Sequence, residues 1–526
     1  MMDASTQTPS SAAIAGAGMV TSPHWLSARA GAKVLEAGGN AIEAIVAAGA
    51  ALSVVYPHFC GLGGDAVWLV ADRSGNTKAF LGIGQAARAA TGDVASIPTR
   101  GPQSTLTTAC LVDSWQQVLN YSAQNWQGQG SLAALLEDAI ILADEGFPVS
   151  PSQAFWHRFR NGERDSWPGF AEAFVGQGIQ RQPNLARTLR DIADQGARTF
   201  YDGDLARRLA AGFAAVGSPL TLEDLADTAT QVEQPVALDY RDVTLFAPPP
   251  PTQGVTTLSI MGILARVGIN KFDPRSADFY HHVVEAVKQA FMDRPAIADP
   301  ASMQIDVAAL LSAARLGEKA GAIDPRRALA WPQPLSRADT AFLAATDREG
   351  RSVAMLQSIY YDWGSGVVVG DTGILWQNRG AAFSLDPMSP NCLQAGKRPF
   401  YTLNPGIALK DGRPHLLYGT QGADGQPQTL ALLLSLLLDH DFGPLEALSH
   451  PRFLLGRTFS DSRDSLKIEK NVGEDVAAAL TSLGHEVAMI DVLSQLAGQA
   501  GVIRIRADGM IDGAHDPRSD GGAIGI

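Results

Sequence analysis

Four stretches of the chain carry residue types that could do chemistry. The first is His58-Phe59-Cys60-Gly61-Leu62-Gly63-Gly64-Asp65, a glycine loop. It lacks the Lys-Ser/Thr end of a phosphate loop and opens no clear helix, so a tight turn against another backbone competes with an anion cradle. Gly419-Thr420-Gln421-Gly422-Ala423 has the same ambiguity, and its backbone N–H groups could instead form an oxyanion hole. His281-His282 lacks the spacing to a second cluster that a metal centre needs, and reads as structural. The fourth stretch, Ala338-Asp339-Thr340-Ala341-Phe342, puts a hydroxyl where a proline-rich stretch meets a strand. A threonine that opens a strand is by itself usually just a strand residue. No Gly-x-Ser-x-Gly elbow occurs, so a serine hydrolase of the α/β type lacks its entry signal.

The elements that must position these groups follow from apolar spacing. Ser27 to Val55 reads as two helices broken at Gly38-Gly39-Asn40, and Ala66 to Ala71 as a strand after the glycine loop. Leu132 to Glu145, Leu185 to Asp194, Leu205 to Phe213 and Phe279 to Asp293 carry helical spacing. Val243 to Ala247 is a strand that stops at four prolines, Pro248 to Pro251. Asp324 to Arg337, with Pro325, Pro332 and Pro334, reads as an exposed, loosely held linker. Beyond it Thr340 to Ala345 and Ser352 to Ser358 are strands around the turn Asp347-Arg348-Glu349-Gly350. Val367 to Val369, Gly373 to Trp376, Leu416 to Tyr418 and Val502 to Ile505 continue the strands, and Thr429 to Leu438 is an apolar helix. Helices first and strands after the linker suit sheets covered by helices.

Composition narrows the class. With 46 % hydrophobic and 18 % charged residues among 526, the chain can bury a full core, which excludes disorder as its main state. A formal net charge of −13 argues against a nucleic-acid binder. Cys60, Cys110 and Cys392 are scattered, without CxxC spacing, so a structural zinc site is not expected and a reducing compartment fits. Met1 to Ser27 has the pattern of no secretory signal, and the longest apolar runs fall short of a membrane span. A cytoplasmic protein without membrane or nucleic-acid partners is the expectation.

From about Met19 to its end the chain resembles the γ-glutamyltransferase family of self-cleaving N-terminal-nucleophile (Ntn) hydrolases. The markers, in order, are Gly38-Gly39-Asn40-Ala41, Pro57-His58 with Gly61 to Gly64, Leu142 to Phe147, Pro248 to Gly254, Glu285/Lys288/Phe291/Asp293-Arg294, Gly364 to Val368, Lys397-Arg398-Pro399 with Asn404-Pro405, and Asp516 to Ser519. The resemblance implies an α+β fold, a four-layer αββα sandwich with two packed sheets. It implies a precursor cut between Asp339 and Thr340 into pieces of 339 and 187 residues, which interleave as one unit. Thr340 is then nucleophile and base at once. The cut frees an α-amino group with a pKa of about 7.7–8.0, suited to accept the hydroxyl proton near neutral pH. By the same resemblance Gly422 and Ala423 form the oxyanion hole, with strain at Ala423 if its φ must be positive. Ser358 supports the nucleophile's amine, and Tyr401 and Thr402 match a serine pair that touches a substrate carboxylate. No metal or organic cofactor is implied; the partners are a small-molecule substrate and the two fragments, and a dimer of such heterodimers is admitted.

The departures bear on substrate. The family's glutamate-gripping Arg falls at Gly84, with Arg88 the nearest cation; an Asn becomes Tyr360, a Gln becomes Arg379, and the Asp that pairs the α-amino group becomes Ala382. Losing both charge partners of an amino-acid head argues against γ-glutamyl compounds such as glutathione as main substrates. Trp376 to Gly380 and Phe383 to Pro387 look like the subgroup that includes oxamate amidohydrolase. Arg379 suits bidentate binding of a small carboxylate in a pocket narrowed by Tyr360, unless it merely pairs with an acid such as Asp386. The expectation is an autoprocessing amidohydrolase acting on a small carboxylate-bearing amide, oxamate first. A γ-glutamyl hydrolase or transferase and a cephalosporin-type acylase are the enzymatic alternatives; an uncleaved small-acid binding protein is the alternative of another class.

Overall fold

The computed structural model describes residues 11–92, 94–331, 340–457 and 463–526. Its centre is two seven-stranded sheets, each with antiparallel neighbours. The first runs, in spatial order, Ala12–Ala15, Ile511–His515, Ala500–Ile505, Arg413–Thr420, Gly406–Lys410, Val243–Ala247, Val236–Tyr240. The second runs Gly522–Gly525, Met19–Ser22, Ala341–Thr346, Ser352–Ser358, Asp65–Ala71, Thr77–Gly82, Gln231–Glu233. Both sheets therefore mix strands from before and after Thr340.

The layering follows from period-two sequences whose two faces are both apolar. In Ala341–Thr346, Phe342 and Ala344 face the other sheet while Ala341, Leu343 and Ala345 face the helices. The facing side of the first sheet supplies Ile407, Leu409, Leu417 and Ile503. Helices Trp25–Glu36 and Ala41–Val55 cover the second sheet; Gly254–Val267, Ala277–Phe291 and Gln426–Asp439 build the layer over the first. The expected αββα sandwich is thus what the chain adopts.

Local chemistry sets the element ends. Asn40 caps Ala41–Val55 with its side chain, and Glu43 returns a bond to the Asn40 N–H, which fixes the break after Gly38-Gly39. Leu132–Glu145 and Val243–Ala247 have the predicted bounds. Arg413–Thr420 is longer than the strand read at Leu416 to Tyr418. Val367 to Val369 and Gly373 to Trp376 are not ladder strands: they make an isolated bridge, Val368 to Leu375, because Gly364, Gly366, Gly370 and Gly373 all take positive φ and interrupt the pleat. The described part of the predicted linker, 324–331, is largely exposed but not loose. Leu329 is bonded at both its N–H and its carbonyl, and Ala328 donates to the Leu483 carbonyl. Asp339 lies outside the described residues. Among the described residues no helix is long and apolar enough to cross a membrane.

Candidate active site

One end of the second sheet collects polar side chains where its interior should be apolar. Ala341 pairs with Gln357, and Ser358 pairs with Asp65, so Thr340, Ser358 and Asp65 stand side by side on three neighbouring strands. Each has the parity of the residues that face the other sheet: Thr340 with Phe342, Ser358 with Leu356, Asp65 with Val67. Three strands about 4.8 Å apart put Thr340 and Asp65 roughly 10 Å from each other, the width of a small substrate. All three are buried.

The first sheet supplies the opposite wall. Its strand Arg413–Thr420 runs into Gln421-Gly422-Ala423 and then into helix Gln426–Asp439. Gln426 Nε2 donates to Thr340 Oγ1 at 3.2 Å, which ties the turn to the expected nucleophile. Gly422 has φ +126° and Ala423 φ +47°. The positive φ foreseen as a cost at Ala423 is real, on the order of 1 kcal/mol for a residue with a Cβ. The N–H groups of Gly422 and Ala423 meet no partner among the described residues, so two donors are available together. Gln253 Nε2 donates to both the Ala423 and Thr402 carbonyls, at 2.8 and 2.7 Å, and fixes the turn to the next segment.

That segment holds the charge. Arg379 is fully buried, with its guanidinium carbon 4.1 Å from the Tyr360 ring centre and 4.5 Å from that of Tyr401. Nη1 donates to Thr402 Oγ1 at 3.2 Å, while Nε and Nη2 have no partner. The Asp386 pairing is not made; Asp386 caps its own turn by accepting from Met388 N–H. Tyr401 donates its hydroxyl to Asp65 Oδ2 at 2.7 Å, and the N–H groups of Gly84 and Cys110 both donate to Asp65 Oδ1 at 3.0 Å. Burial pushes the Asp65 carboxyl up to about 6, against the downward pull of the Tyr401 bond and the Arg379 charge. Tyr360 takes φ +78°, an outlier for an aromatic residue, held by its N–H bond to Ser358 Oγ at 2.8 Å.

The structure thus brings together Thr340, Ser358, Tyr360, Arg379, Tyr401, Thr402, Gly422 and Ala423. It does not bring in Arg88. Its side chain is 56 % exposed and turned to Glu223 and Asp227, because its backbone docks on the capping box of helix Leu222–Ala226 through Asp224. Gly84 is at the site, but a Cβ there would lie 1.8 Å from the Thr108 carbonyl oxygen, so this packing admits no side chain. Sequence reasoning missed Gln253, Gln426 and the anchoring role of Asp65. It also missed the buried Arg294–Asp424 ion pair beside the Gly422–Ala423 turn. Asp65, at the end of the glycine loop, carried the one usable signal. That loop is the tight turn of the two readings: a Cβ on Gly64 would meet the Ser358 carbonyl at 2.3 Å. His281, read without metal partners, has Glu285 and His485 beside it.

Comparison with known proteins places the chain in a family. Residues 27–526 match the family model for gamma-glutamyltranspeptidase. The oxamate amidohydrolase proenzyme of Klebsiella pneumoniae subsp. pneumoniae is 43 % identical over 521 residues, 97 % of this chain and 98 % of that one. The glutathione hydrolase-like YwrD proenzyme of Bacillus subtilis is 39 % identical over 522 residues, again 97 % and 98 %. Among solved structures, cephalosporin acylase from Bacillus halodurans superposes with a TM-score of 0.88 at 31 % identity, covering 100 % of this chain and 99 % of its own.

Proposed function

The chain belongs to the gamma-glutamyltranspeptidase family of Ntn hydrolases, enzymes that cleave amide bonds, and from that premise we propose that it is an autoprocessing amidohydrolase for a small carboxylate-bearing amide, oxamate before others. One observation carries the substrate class: a fully buried guanidinium with two unpartnered nitrogens, Nε and Nη2, linked through Thr402 and Gln253 to the turn that holds Thr340. A buried cation without an ion pair is costly unless an anion visits it. Nε and Nη2 form one edge of the planar fork, the geometry that takes both oxygens of a carboxylate.

In this reading the bond between Asp339 and Thr340 is cut first, and the freed Thr340 amine becomes the base. With oxamate's carboxylate on Arg379, the reading requires the adjacent carbonyl carbon to reach Thr340. Oγ1 attacks it, the amine taking the hydroxyl proton, and the oxyanion faces the N–H groups of Gly422 and Ala423. Collapse expels ammonia, which leaves with that proton. Water then attacks the oxalyl-threonine ester with the same amine as base, releasing oxalate and restoring the hydroxyl. Gln426, on Thr340 Oγ1, orients the nucleophile.

A γ-glutamyl substrate needs anchors for its α-carboxylate and its α-amino group, and neither Gly84 nor Ala382 supplies one. The relatives named for glutathione and cephalosporin chemistry keep those two readings in the test. Purified wild type on a denaturing gel should show pieces of about 36 and about 20 kDa, the 55.5 kDa chain divided by length, with the small one starting at Thr340. Thr340→Ala should stay whole. Cleaved protein should release ammonia from oxamate far faster than it turns over glutathione or a cephalosporin side-chain amide. A whole, inert wild type would move the small-acid binding protein to first place.

A further inference from the structure

Away from this site, three metal-ligating side chains converge. His281 and Glu285 lie one helical turn apart on Ala277–Phe291, and His485 comes from the turn between Glu474–Ser482 and Val487–Ile490. All three are buried, and their ligand atoms lie within 4.8 Å of one another. His281 Nδ1 and His485 Nε2 are 2.8 Å apart. Tetrahedral zinc with bonds of about 2.0–2.1 Å needs two nitrogens about 3.3 Å apart, so the pair has to open by only about half an ångström.

The groups around the ligands orient them. With His281 Nε2 donating to the Asp324 carbonyl at 2.9 Å, His281 Nδ1 accepts from His485 Nε2–H, and binding a metal needs His485 to carry its proton on Nδ1 instead. A ring N–H held by a backbone carbonyl is the usual second partner of a zinc-bound histidine. Glu285 is oriented in turn: Oε2 accepts from Leu329 N–H at 3.1 Å, and Oε1 from Lys288 Nζ at 2.8 Å. Lys288 is the competing cation, and it has a second anchor in the Leu329 carbonyl at 2.5 Å, to which it can retreat.

We propose that His281, Glu285 and His485 bind one divalent ion of the zinc class, with a water completing four ligands. Two ligands precede Thr340 and one follows it, so the ion joins the helix Ala277–Phe291 to the C-terminal part of the chain. The groups that orient two of the ligands, the Asp324 carbonyl and the Leu329 N–H, belong to the segment that leads toward residue 339. Binding the ion therefore also fixes that segment.

Chelator-treated full-length protein titrated with Co²⁺ and followed by visible absorption tests this. The expected result is one equivalent bound with tetrahedral d–d bands between about 500 and 700 nm, displaced by Zn²⁺. His485→Ala and the more conservative His485→Gln should each lose the bands and weaken binding at least about 100-fold, while Lys288→Met, which removes the competitor, should tighten it about tenfold or more. Ammonia release at a saturating amide concentration reports that each variant is folded. Absence of a bound equivalent in folded wild type, or bands that persist in both His485 variants, would overturn the site.

Discussion

Arg379 shows how far one residue can carry a reading. Two tyrosine rings lie against the guanidinium, and Nε and Nη2 on one edge of its plane are buried without a partner, an arrangement that suits a flat, short carboxylate under the proposed function. Arg379→Lys keeps the charge but loses the fork and the stacking. It should raise KM for oxamate about 10- to 100-fold in ammonia-release assays with kcat changed less. An equal fall in kcat and kcat/KM would place Arg379 on the transition state instead.

Asp65 makes a second residue-scale prediction through pH. Its carboxyl titrates at about 6 in the folded chain against 3.8 as a free group, chiefly because it is buried. The folded state thus holds the proton to higher pH than the unfolded state. The resulting stabilisation is complete below about 3.8 and is lost as pH rises through about 6, a change on the order of 3 kcal/mol. Thermal melts of wild type and Asp65→Asn should diverge across that window, wild type losing stability relative to the variant as pH rises from 4 to 6.5. Parallel melting curves against pH would refute the assignment.

At the scale of elements, the site is a seam between three strand ends and one turn. The ladder fixes Thr340, Ser358 and Asp65 in register, and a one-residue slip would turn all three toward the helices. The turn is set by backbone conformation. Gly422→Ala forces a Cβ into φ +126°, a strain of about 1–3 kcal/mol that the turn can relieve only by moving its N–H groups. The variant should keep its substrate KM within about twofold and lose at least about tenfold in kcat, measured by ammonia release on fully processed protein.

Much of this scale was legible in the sequence. The strand after Thr340 declares itself by apolar residues on both faces and a clear turn, and the glycine loop by its composition. What could not be read was side-chain company across long loops. Tyr401 and Asp65 are 336 residues apart, and Gln253 and Ala423 are 170. No local pattern joins them. Arg88 misled for the complementary reason: chain proximity to Gly84 suggested a shared site, but the backbone turns at Ala87 and delivers Arg88 to acids on another helix. Glycines at positive φ made a run of β-branched residues around Val367 look more regular than its backbone allows.

At the scale of the whole molecule, the second sheet alternates strands from both sides of Thr340: Met19–Ser22 lies between Gly522–Gly525 and Ala341–Thr346, and Asp65–Ala71 lies beside Ser352–Ser358. The first sheet is shared in the same way, with Ala12–Ala15 at one edge and Val243–Ala247 inside the other. Neither piece holds a complete sheet. Once the chain is cut, each piece on its own exposes unpaired strand edges and half of the apolar interior.

Shared sheets also decide how the molecule can be taken apart and put back. An uncut chain returns to its fold by a unimolecular search, so its recovery after dilution from denaturant is independent of protein concentration. Two fragments must first find each other, and their recovery is second order, falling as the solution is diluted while aggregation of open edges competes. Thr340→Ala should therefore refold with a yield that is flat across a hundredfold range of protein concentration at which processed wild type loses most of its recovery. A single cut would thus exchange a reversible fold for one whose persistence is kinetic, set by how slowly the interleaved strands come apart.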